Sequence, residues 1–207
     1  MGWVLLENMV NFGKILNKKV IFVIVLILLA GGFFWWQNKE IKGSPDDYVI
    51  KETEEGIFVE NKKAGLTMIV PEGWEIKKME VEEGGVTFYS EGTIIEWKND
   101  QIILPLENGC MMGSEVIYEK MDFEEIKEEA RRTHLMLGVE SDEFEEILVN
   151  NYKTLKNTFE LQEYGPGVGI YIPIKNKGYA FYLYWASNQK EECVQEFDKF
   201  LETISIQ

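Results

Sequence analysis

Few residues in this sequence could act as an acid, a base or a nucleophile. His134 is the only histidine, so a catalytic triad or a histidine-based metal site would have to include it. It lies on the apolar stripe of a predicted helix, which favours a hydrogen-bonded structural histidine over a catalytic one. No serine in a nucleophile-elbow pattern accompanies it. The sequence therefore predicts no catalytic residue and no enzyme.

The remaining candidates for ligand binding are a glycine-rich stretch and three acidic runs. Residues 165–169 lack the lysine and the hydroxyl residue of a phosphate-binding loop, so we interpret them as a loop between strands. The acidic runs match no calcium-binding loop, and we interpret them as a solvated surface, with weak divalent-ion binding as a hypothesis. They comprise Glu80, Glu82 and Glu83, then Glu124, Glu125, Glu128 and Glu129, and then Asp142, Glu143, Glu145 and Glu146. Metal ligands stay unassigned, and no cofactor is predicted.

Cys110 and Cys193 are the only two cysteines. A disulfide between them would close a long loop and contribute about 4 kcal/mol on the chain-entropy model. Such a bond requires an oxidising compartment. Cys193 also fits the apolar stripe of a predicted terminal helix, where a thiol behaves as a small hydrophobic group. We therefore favour free thiols over the disulfide, with both left open.

An uninterrupted apolar run, residues 20–36, precedes these elements. As a helix it would span about 25 Å at ~1.5 Å per residue, slightly less than the ~30 Å hydrocarbon core of a bilayer. Lys18 and Lys19 precede Val20, and Trp35 and Trp36 end the run, which suits the two headgroup regions. The sequence therefore predicts a transmembrane helix at 20–36 that anchors the chain in a lipid bilayer, after a cytoplasmic segment at 1–19.

Cleavage of the apolar run is the main alternative to a retained anchor. Ala30-Gly31-Gly32 would suit a signal peptidase, but the 19-residue leader before the run is long for a signal peptide. The lysines on the two sides of the run nearly balance, and the basic pair before it favours a cytoplasmic N-terminus. We therefore expect a single-pass protein of the cell membrane with its domain outside the cytoplasm.

The charge of the remaining chain restricts its partners. Residues 45–207 carry 16 basic and 34 acidic side chains, a net charge of −18. Nucleic-acid binding requires lysines and arginines that neutralise phosphates, so this balance argues against a nucleic-acid partner. It also argues against contact of the domain with anionic lipids.

The pattern after the anchor predicts a linker at 37–56 and one α+β domain at 57–207. Short β-branched and aromatic runs predict strands, and apolar residues at steps of three and four predict two helices. Because the strands follow one another with few helices between them, we expect an antiparallel sheet flanked by helices. Predicted strands lie at 57–59, 66–70, 86–89, 93–97, 102–106, 152–163, 168–175 and 179–186. Residues 90–92 are predicted as a hairpin turn between 86–89 and 93–97. The strand at 179–186 has large side chains on both faces and is expected at the centre of its sheet. The helices are expected to begin with caps at Asp122 and Asn188.

A short motif within this pattern resembles a known family. Residues 66–70 form a predicted strand that ends at Pro71. Gly73 supplies a turn, and a new strand is expected to start at Trp74. Together with the late strand pair and the terminal helix, this order resembles the PsbP-like superfamily, which includes the extrinsic P subunit of the photosystem and Mog-like domains. The resemblance covers about residues 57–206. It implies an α/β/α sandwich that acts as an accessory or binding module, and it transfers no site residue.

The sequence thus predicts a bacterial, membrane-anchored member of that group. We expect a non-catalytic, membrane-tethered extracytoplasmic module that engages a protein partner whose identity the sequence does not give. The alternative is a sensor domain for a small molecule or a divalent ion. A deep pocket that holds His134 beside a carboxylate would favour the alternative, and a shallow apolar surface would favour the partner-binding module.

Overall fold

A computed structural model of the chain describes residues 43–54, 56–79, 85–93, 96–98, 101–103, 106–136, 143–161 and 165–207. The predicted cytoplasmic segment, the transmembrane helix with its flanking lysines and tryptophans, and the cleavage motif lie outside the described residues. Within the described ranges, none of the helices has the length and apolar character needed to cross a membrane. The anchor at 20–36 therefore stays a prediction.

The described residues form mostly antiparallel β-sheets with two helices. The strands are β1 (Tyr48–Thr53), β2 (Gly56–Asn61), β3 (Leu66–Val70), β4 (Glu75–Met79), β5 (Gly85–Tyr89), β6 (Glu96–Lys98), β7 (Gln101–Ile103), β8 (Cys110–Ile117), β9 (Glu143–Val149), β10 (Tyr152–Leu161), β11 (Gly165–Ile174), β12 (Lys177–Trp185) and β13 (Ser205–Ile206). The helices are α1 (Phe123–Met136) and α2 (Lys190–Glu202).

The larger sheet has seven antiparallel strands in the order β4-β5-β8-β12-β11-β10-β9. Strand β12 lies at its centre, as its large side chains on both faces predict. Successive side chains of a strand point to opposite faces, and one face of β12 carries Tyr179, Phe181, Leu183 and Trp185, all buried. This face packs against the apolar stripe of α2 and forms the main core.

The smaller sheet has the order β1-β2-β3-β13, and it shows that the predicted linker is too long. Strand β1 lies within residues 37–56 and pairs along its whole length with β2. Tyr48, its first residue, is only 1% exposed and belongs to the main core. The folded unit therefore includes residues that the sequence assigned to the linker. At the other end of the chain, Ile206 of β13 pairs with Leu66 of β3.

The motif that carried the family resemblance has the predicted geometry. The N–H of Trp74 donates to the carbonyl of Pro71 at 3.3 Å, which closes a tight turn between β3 and β4. Gly73 has a φ of +81°, a backbone conformation that glycine adopts without strain. Trp74 is buried and joins the main core.

Of the two predicted helix caps, the one at Asp122 is confirmed and the one at Asn188 is wrong. The Asp122 carboxylate accepts hydrogen bonds from the N–H groups of Glu124 and Glu125 at 3.0 Å, and the Glu125 carboxylate accepts from the Asp122 N–H at 2.8 Å. This is the predicted capping box of α1. For α2, the prediction of Asn188 is wrong. The cap is Gln189, whose side-chain oxygen accepts from the Gly109 N–H at 2.5 Å and makes no cap hydrogen bond.

Two other local predictions are wrong. The predicted hairpin of residues 86–89 with 93–97 does not form, because β5 pairs with β4 and β8 while β6 pairs with β7. Residues 165–169 are part of β11 and not a loop. The glycines there make room for an aromatic ring, since a Cβ at Gly167 would lie 2.5 Å from the Phe159 ring.

Cys110 and Cys193 form a disulfide that ties α2 to the start of β8. The preference for free thiols was therefore wrong. Cys193 does lie in the apolar stripe, but the same stripe faces Cys110, with a Cα–Cα distance of 5.6 Å. Both residues are buried, at 4% and 0% exposure, so the bond lies inside the core.

The disulfide is expected to contribute substantially to the stability of the domain. Replacement of both cysteines by alanine should lower the free energy of unfolding by about 2 to 4 kcal/mol, because the unfolded chain regains the entropy of a long loop. Urea unfolding of the wild-type chain with and without a reductant measures the same loss independently. Since the sequence has only these two cysteines, the reductant acts on no other pair. Equal midpoints in the two conditions would contradict this role.

Candidate functional site

A groove of about 510 Å³ runs between α2 and strands β9 to β11 of the larger sheet. Its floor consists of residues on β9, β10 and β11, and its wall consists of residues on α2. The floor is formed by Ile147, Val149, Lys156, Thr158, Val168 and Ile170, and the wall by Val194, Phe197, Asp198, Leu201 and Glu202. Trp185 and Lys190 lie at the end where α2 begins, and Asn150 lies at the end where it stops.

The floor follows from the alternation of the strands. Ile147 and Val149 are separated by one residue, and so are Val168 and Ile170, so each pair points to one face of the sheet. The helix packs on β12 with its buried stripe. Val194, on the flank of that stripe, is only half-buried. The groove is therefore the part of this sheet face that lies beside the helix.

Asn150 fixes one end of the groove. It begins a two-residue turn between β9 and β10 in which Asn150 and Asn151 have φ values of +48° and +67°, as in a type I′ hairpin. The Asn150 side-chain N–H₂ donates to the carbonyls of Leu201 at 2.8 Å and Ile204 at 2.9 Å. These carbonyls lie in the last turn of α2 and just beyond it, where a helix leaves acceptors without an intrahelical partner. The turn therefore joins floor and wall.

Three further contacts hold the same frame. The Tyr152 hydroxyl donates to the Ile206 carbonyl at 2.9 Å, which attaches β10 to the C-terminal strand. At the opposite end of the groove, the disulfide holds Cys193 in the first turn of α2. The Lys190 ammonium lies 5.8 Å from the centre of the Trp185 ring, a cation–π contact. The wall is thus fixed at both ends.

The lining of the groove combines mostly apolar side chains with four charged ones, of which Lys156 lies on the floor. The charged lining residues are Lys156, Lys190, Asp198 and Glu202. Lys156 stands opposite Glu145 in the pairing of β10 with β9. Among the described residues that line the groove there is no histidine, cysteine or serine. The site can bind apolar side chains beside these charged groups.

A smaller cavity of about 270 Å³ lies between α1 and strands β8, β11 and β12. Its charged lining residues are Glu115 and Glu129, among apolar side chains and tyrosines. Burial raises the pKa of Tyr179, which lines this cavity, to about 12, and the hydroxyl donates to the Ala64 carbonyl at 2.7 Å. Burial also raises the pKa of Tyr182. These phenols stay protonated at neutral pH and cannot act as bases.

The residues that the sequence selected for chemistry do not converge. The side chain of His134 lies outside the described part of the structure, as do Glu80, Glu82, Glu83 and Asp142. The described acids of the three runs are exposed, as a solvated surface predicts. Within the described residues, no three or more histidine, cysteine, aspartate or glutamate side chains are arranged to hold a metal ion. Metal ligands therefore stay unassigned.

The groove was not predicted from the sequence. The Asn-Asn pair between two strand patterns is a signal for a tight turn, but nothing local shows that Asn150 reaches α2, about fifty residues further along the chain. The disulfide was named as one of two alternatives. The geometry of the site thus depends on long-range contacts.

Asn150→Gly should destabilise the junction of floor and wall without straining the turn. Glycine accepts the positive φ, so the main loss is the hydrogen bonds to the end of α2, and we expect the free energy of unfolding to fall by about 1 to 2 kcal/mol. Asn151→Gly is the matched control, with an expected change within about 0.5 kcal/mol. Urea unfolding measures both. Equal losses in the two variants would show that the turn, and not the contact with α2, determines the effect.

Comparison with known proteins gives a similarity of fold. No family model matches the chain, and no curated protein matches it. The solution structure of cyanobacterial PsbP (CyanoP) from Synechocystis sp. PCC 6803 is similar, with 10% identity and a TM-score of 0.46, and the match covers 77% of this chain and 92% of that chain. That protein is a PsbP, and the PsbP-like group is the one that the sequence resembles. The likeness concerns the fold alone and transfers no ligand, partner or activity to this chain.

Proposed function

We propose that this chain is a non-catalytic, membrane-tethered extracytoplasmic module that engages a protein partner through the groove between α2 and strands β9 to β11. The observation that carries the proposal is the groove itself. Its floor is mostly apolar, with the half-buried Ile147 and Val149 accessible beside α2, and its wall is fixed at both ends. Exposed apolar surface framed by polar residues is typical of protein interaction sites.

The shape of the groove favours a segment of a protein over a small ligand. The wall helix has 13 residues, which corresponds to a length of about 20 Å. A peptide segment can place alternate or periodic side chains along such a groove. The acidic net charge of residues 45–207 favours a segment whose apolar side chains are flanked by basic ones.

The arrangement of the helices supports a PsbP-like α/β/α sandwich. Ile147 and Val149 of β9 face the groove and α2. Phe144 and Glu146 alternate with them and contact α1, because the Arg131 guanidinium lies 5.3 Å from the Phe144 ring and the Lys127 ammonium 4.0 Å from the Glu146 carboxylate. The two helices therefore pack on opposite faces of the sheet.

The membrane tether and the extracytoplasmic location rest mainly on the sequence of residues 1–36. The disulfide supports the location, because such bonds persist in oxidising compartments and are rare in the cytosol. A sensor for a small molecule or a divalent ion is the less supported alternative. Its best site is the smaller cavity, where two carboxylates, those of Glu115 and Glu129, lie among the described lining residues, fewer than the oxygen ligands that a calcium site usually gathers.

Site-specific photo-crosslinking in intact cells tests the partner-binding groove. A benzoylphenylalanine at Thr158, which is exposed on the groove floor, should give a discrete protein adduct. The same residue at Glu52, exposed on β1 of the other sheet, is the control and should give none. Adding Val194→Lys to the Thr158 probe should reduce the adduct at least about tenfold, because a charged side chain then lies among the apolar side chains of the groove. Equal adducts at both positions, or no effect of Val194→Lys, would contradict the proposal.

Membrane fractionation tests the tether. The full-length chain should sediment with membranes, resist extraction by alkaline carbonate and be released by detergent, because an apolar helix inserts with a large favourable free energy. Replacement of two leucines within 20–36 by lysine should move the chain to the soluble fraction, since each central charge costs roughly 3 kcal/mol. Protease added to intact spheroplasts should digest the domain. A full-length chain that stays in the supernatant would show that no anchor is retained.

A further inference from the structure

Strand β9 forms an outer edge of the seven-stranded sheet. It pairs with β10 on one side, and among the described residues no strand pairs with its other side. An edge strand presents backbone N–H and carbonyl groups that a further strand can use. The same strand also contributes Ile147 and Val149 to the floor of the groove. A strand added at this edge would therefore extend the floor.

The turn between β9 and β10 shows which backbone groups of β9 point outward. In a two-residue type I′ hairpin, the residues that flank the turn exchange both ladder hydrogen bonds, so Val149 and Tyr152 form such a pair. Hydrogen-bonded and non-hydrogen-bonded pairs alternate along an antiparallel ladder. The N–H and carbonyl groups of Phe144, Glu146 and Leu148 therefore point away from β10 and toward the open edge.

The side chains of β9 define the chemistry of a matching strand. Its first half carries the exposed Glu143, Glu145 and Glu146, and its second half carries the exposed Leu148. Two β9 edges placed against each other would bring the glutamates of both copies close together, which is unfavourable. A strand with a basic residue opposite Glu146 and an apolar residue opposite Leu148 is complementary in charge and in hydrophobicity.

We propose that the partner binds as an extended strand that pairs antiparallel with β9, with a basic side chain opposite Glu146 and an apolar side chain opposite Leu148. This inference rests on the proposed function and specifies the form of the partner segment. The side chains opposite Ile147 and Val149 lie over the groove beside α2. Backbone hydrogen bonds at Phe144, Glu146 and Leu148 fix the register, and the side chains select the sequence.

A synthetic peptide tests the pairing on the full-length chain in phosphatidylcholine nanodiscs. The probe is fluorescently labelled acetyl-Val-Ile-Val-Lys-Thr-Phe-Lys-amide, whose residues would stand opposite Val149 to Glu143 in that order. Anisotropy should show saturable binding with half-saturation below about 1 mM, and empty nanodiscs should show none. A peptide with glutamate in place of both lysines should bind at least about tenfold more weakly, because like charges then face each other.

Backbone methylation separates strand pairing from other modes of binding. N-methylation of the first lysine, whose N–H would face β9, should weaken binding at least about tenfold. N-methylation of the second valine, opposite Ile147, should change binding less than about threefold, because that N–H faces away. This comparison changes only the peptide and leaves the protein unaltered. Equal effects of the two modifications on binding would overturn the proposal.

Variants of the protein provide the matching test. Glu146→Pro removes one outward N–H but no ladder hydrogen bond to β10, so it should fold and weaken peptide binding at least about tenfold. Glu146→Gln keeps the N–H and should weaken binding only about two- to fivefold, with a smaller salt dependence. An unchanged urea midpoint confirms that Glu146→Pro is folded. Equal binding to the wild-type chain and a folded Glu146→Pro variant would overturn the strand mode.

The same reagents distinguish this inference from the proposed function. If the Thr158 adduct persists and depends on Val194 while the methylated peptides bind equally, the groove binds a partner but not as a strand on β9. If the Thr158 adduct is absent, the proposed function fails as well. Sedimentation of the chain in detergent, without nanodiscs, tests whether a second copy of the chain binds at the edge of β9. A dimer or larger species that Glu146→Pro dissociates would overturn the proposal in favour of self-association.

Discussion

The burial of Phe200 is the interaction on which the rest of the domain depends. The centre of its ring lies 5.4 Å from that of Phe88 on β5 and 6.2 Å from that of Phe181 on β12. Full burial of an aromatic side chain contributes ~1.5 to 3 kcal/mol, and this exceeds the small differences in helix propensity that a short helix offers. Three residues further on, the Thr203 hydroxyl accepts a hydrogen bond from the Ile69 N–H on β3 at 3.1 Å. One end of α2 therefore connects both sheets.

The groove is a consequence of this placement of α2. Because its buried stripe lies against β12, the helix leaves the neighbouring face of β9 to β11 only partly covered. The disulfide at Cys193 and the contact of Asn150 with the end of the helix act at opposite ends of the same wall. Neither end can move without breaking a covalent bond or exposing the carbonyl groups at the helix end. The groove is thus held open by the same contacts that stabilise the core.

Sequence pattern predicted the elements that local periodicity and composition determine. It failed where contacts between residues far apart in the sequence determine the structure. The stripe of α2 and the central position of β12 follow from their periodicity and composition. Tyr48 is different, because β1 is otherwise exposed and only its pairing with β2 and the buried phenol show that it belongs to the domain. Residues 165–169 were predicted as a loop because they are rich in glycine. In the structure these glycines lie in β11 and leave room for the rings of other residues. For the groove, the sequence contains a turn signal at Asn150 that was not used, and it named the disulfide of Cys193 as one of two alternatives. Neither signal shows that the turn and the disulfide fix opposite ends of α2.

The acidic charge of the domain acts on association and not on the fold. Residues 45–207 carry a net charge of −18, while the core is apolar and the groove floor is mostly apolar. Long-range attraction by such a surface raises the rate at which a basic partner arrives and slows the approach of another copy of the chain. Apolar contacts within the groove are short-ranged and mainly set the rate of dissociation. In this arrangement added salt weakens binding chiefly through slower association, because screening reduces the long-range attraction and leaves the apolar contacts intact.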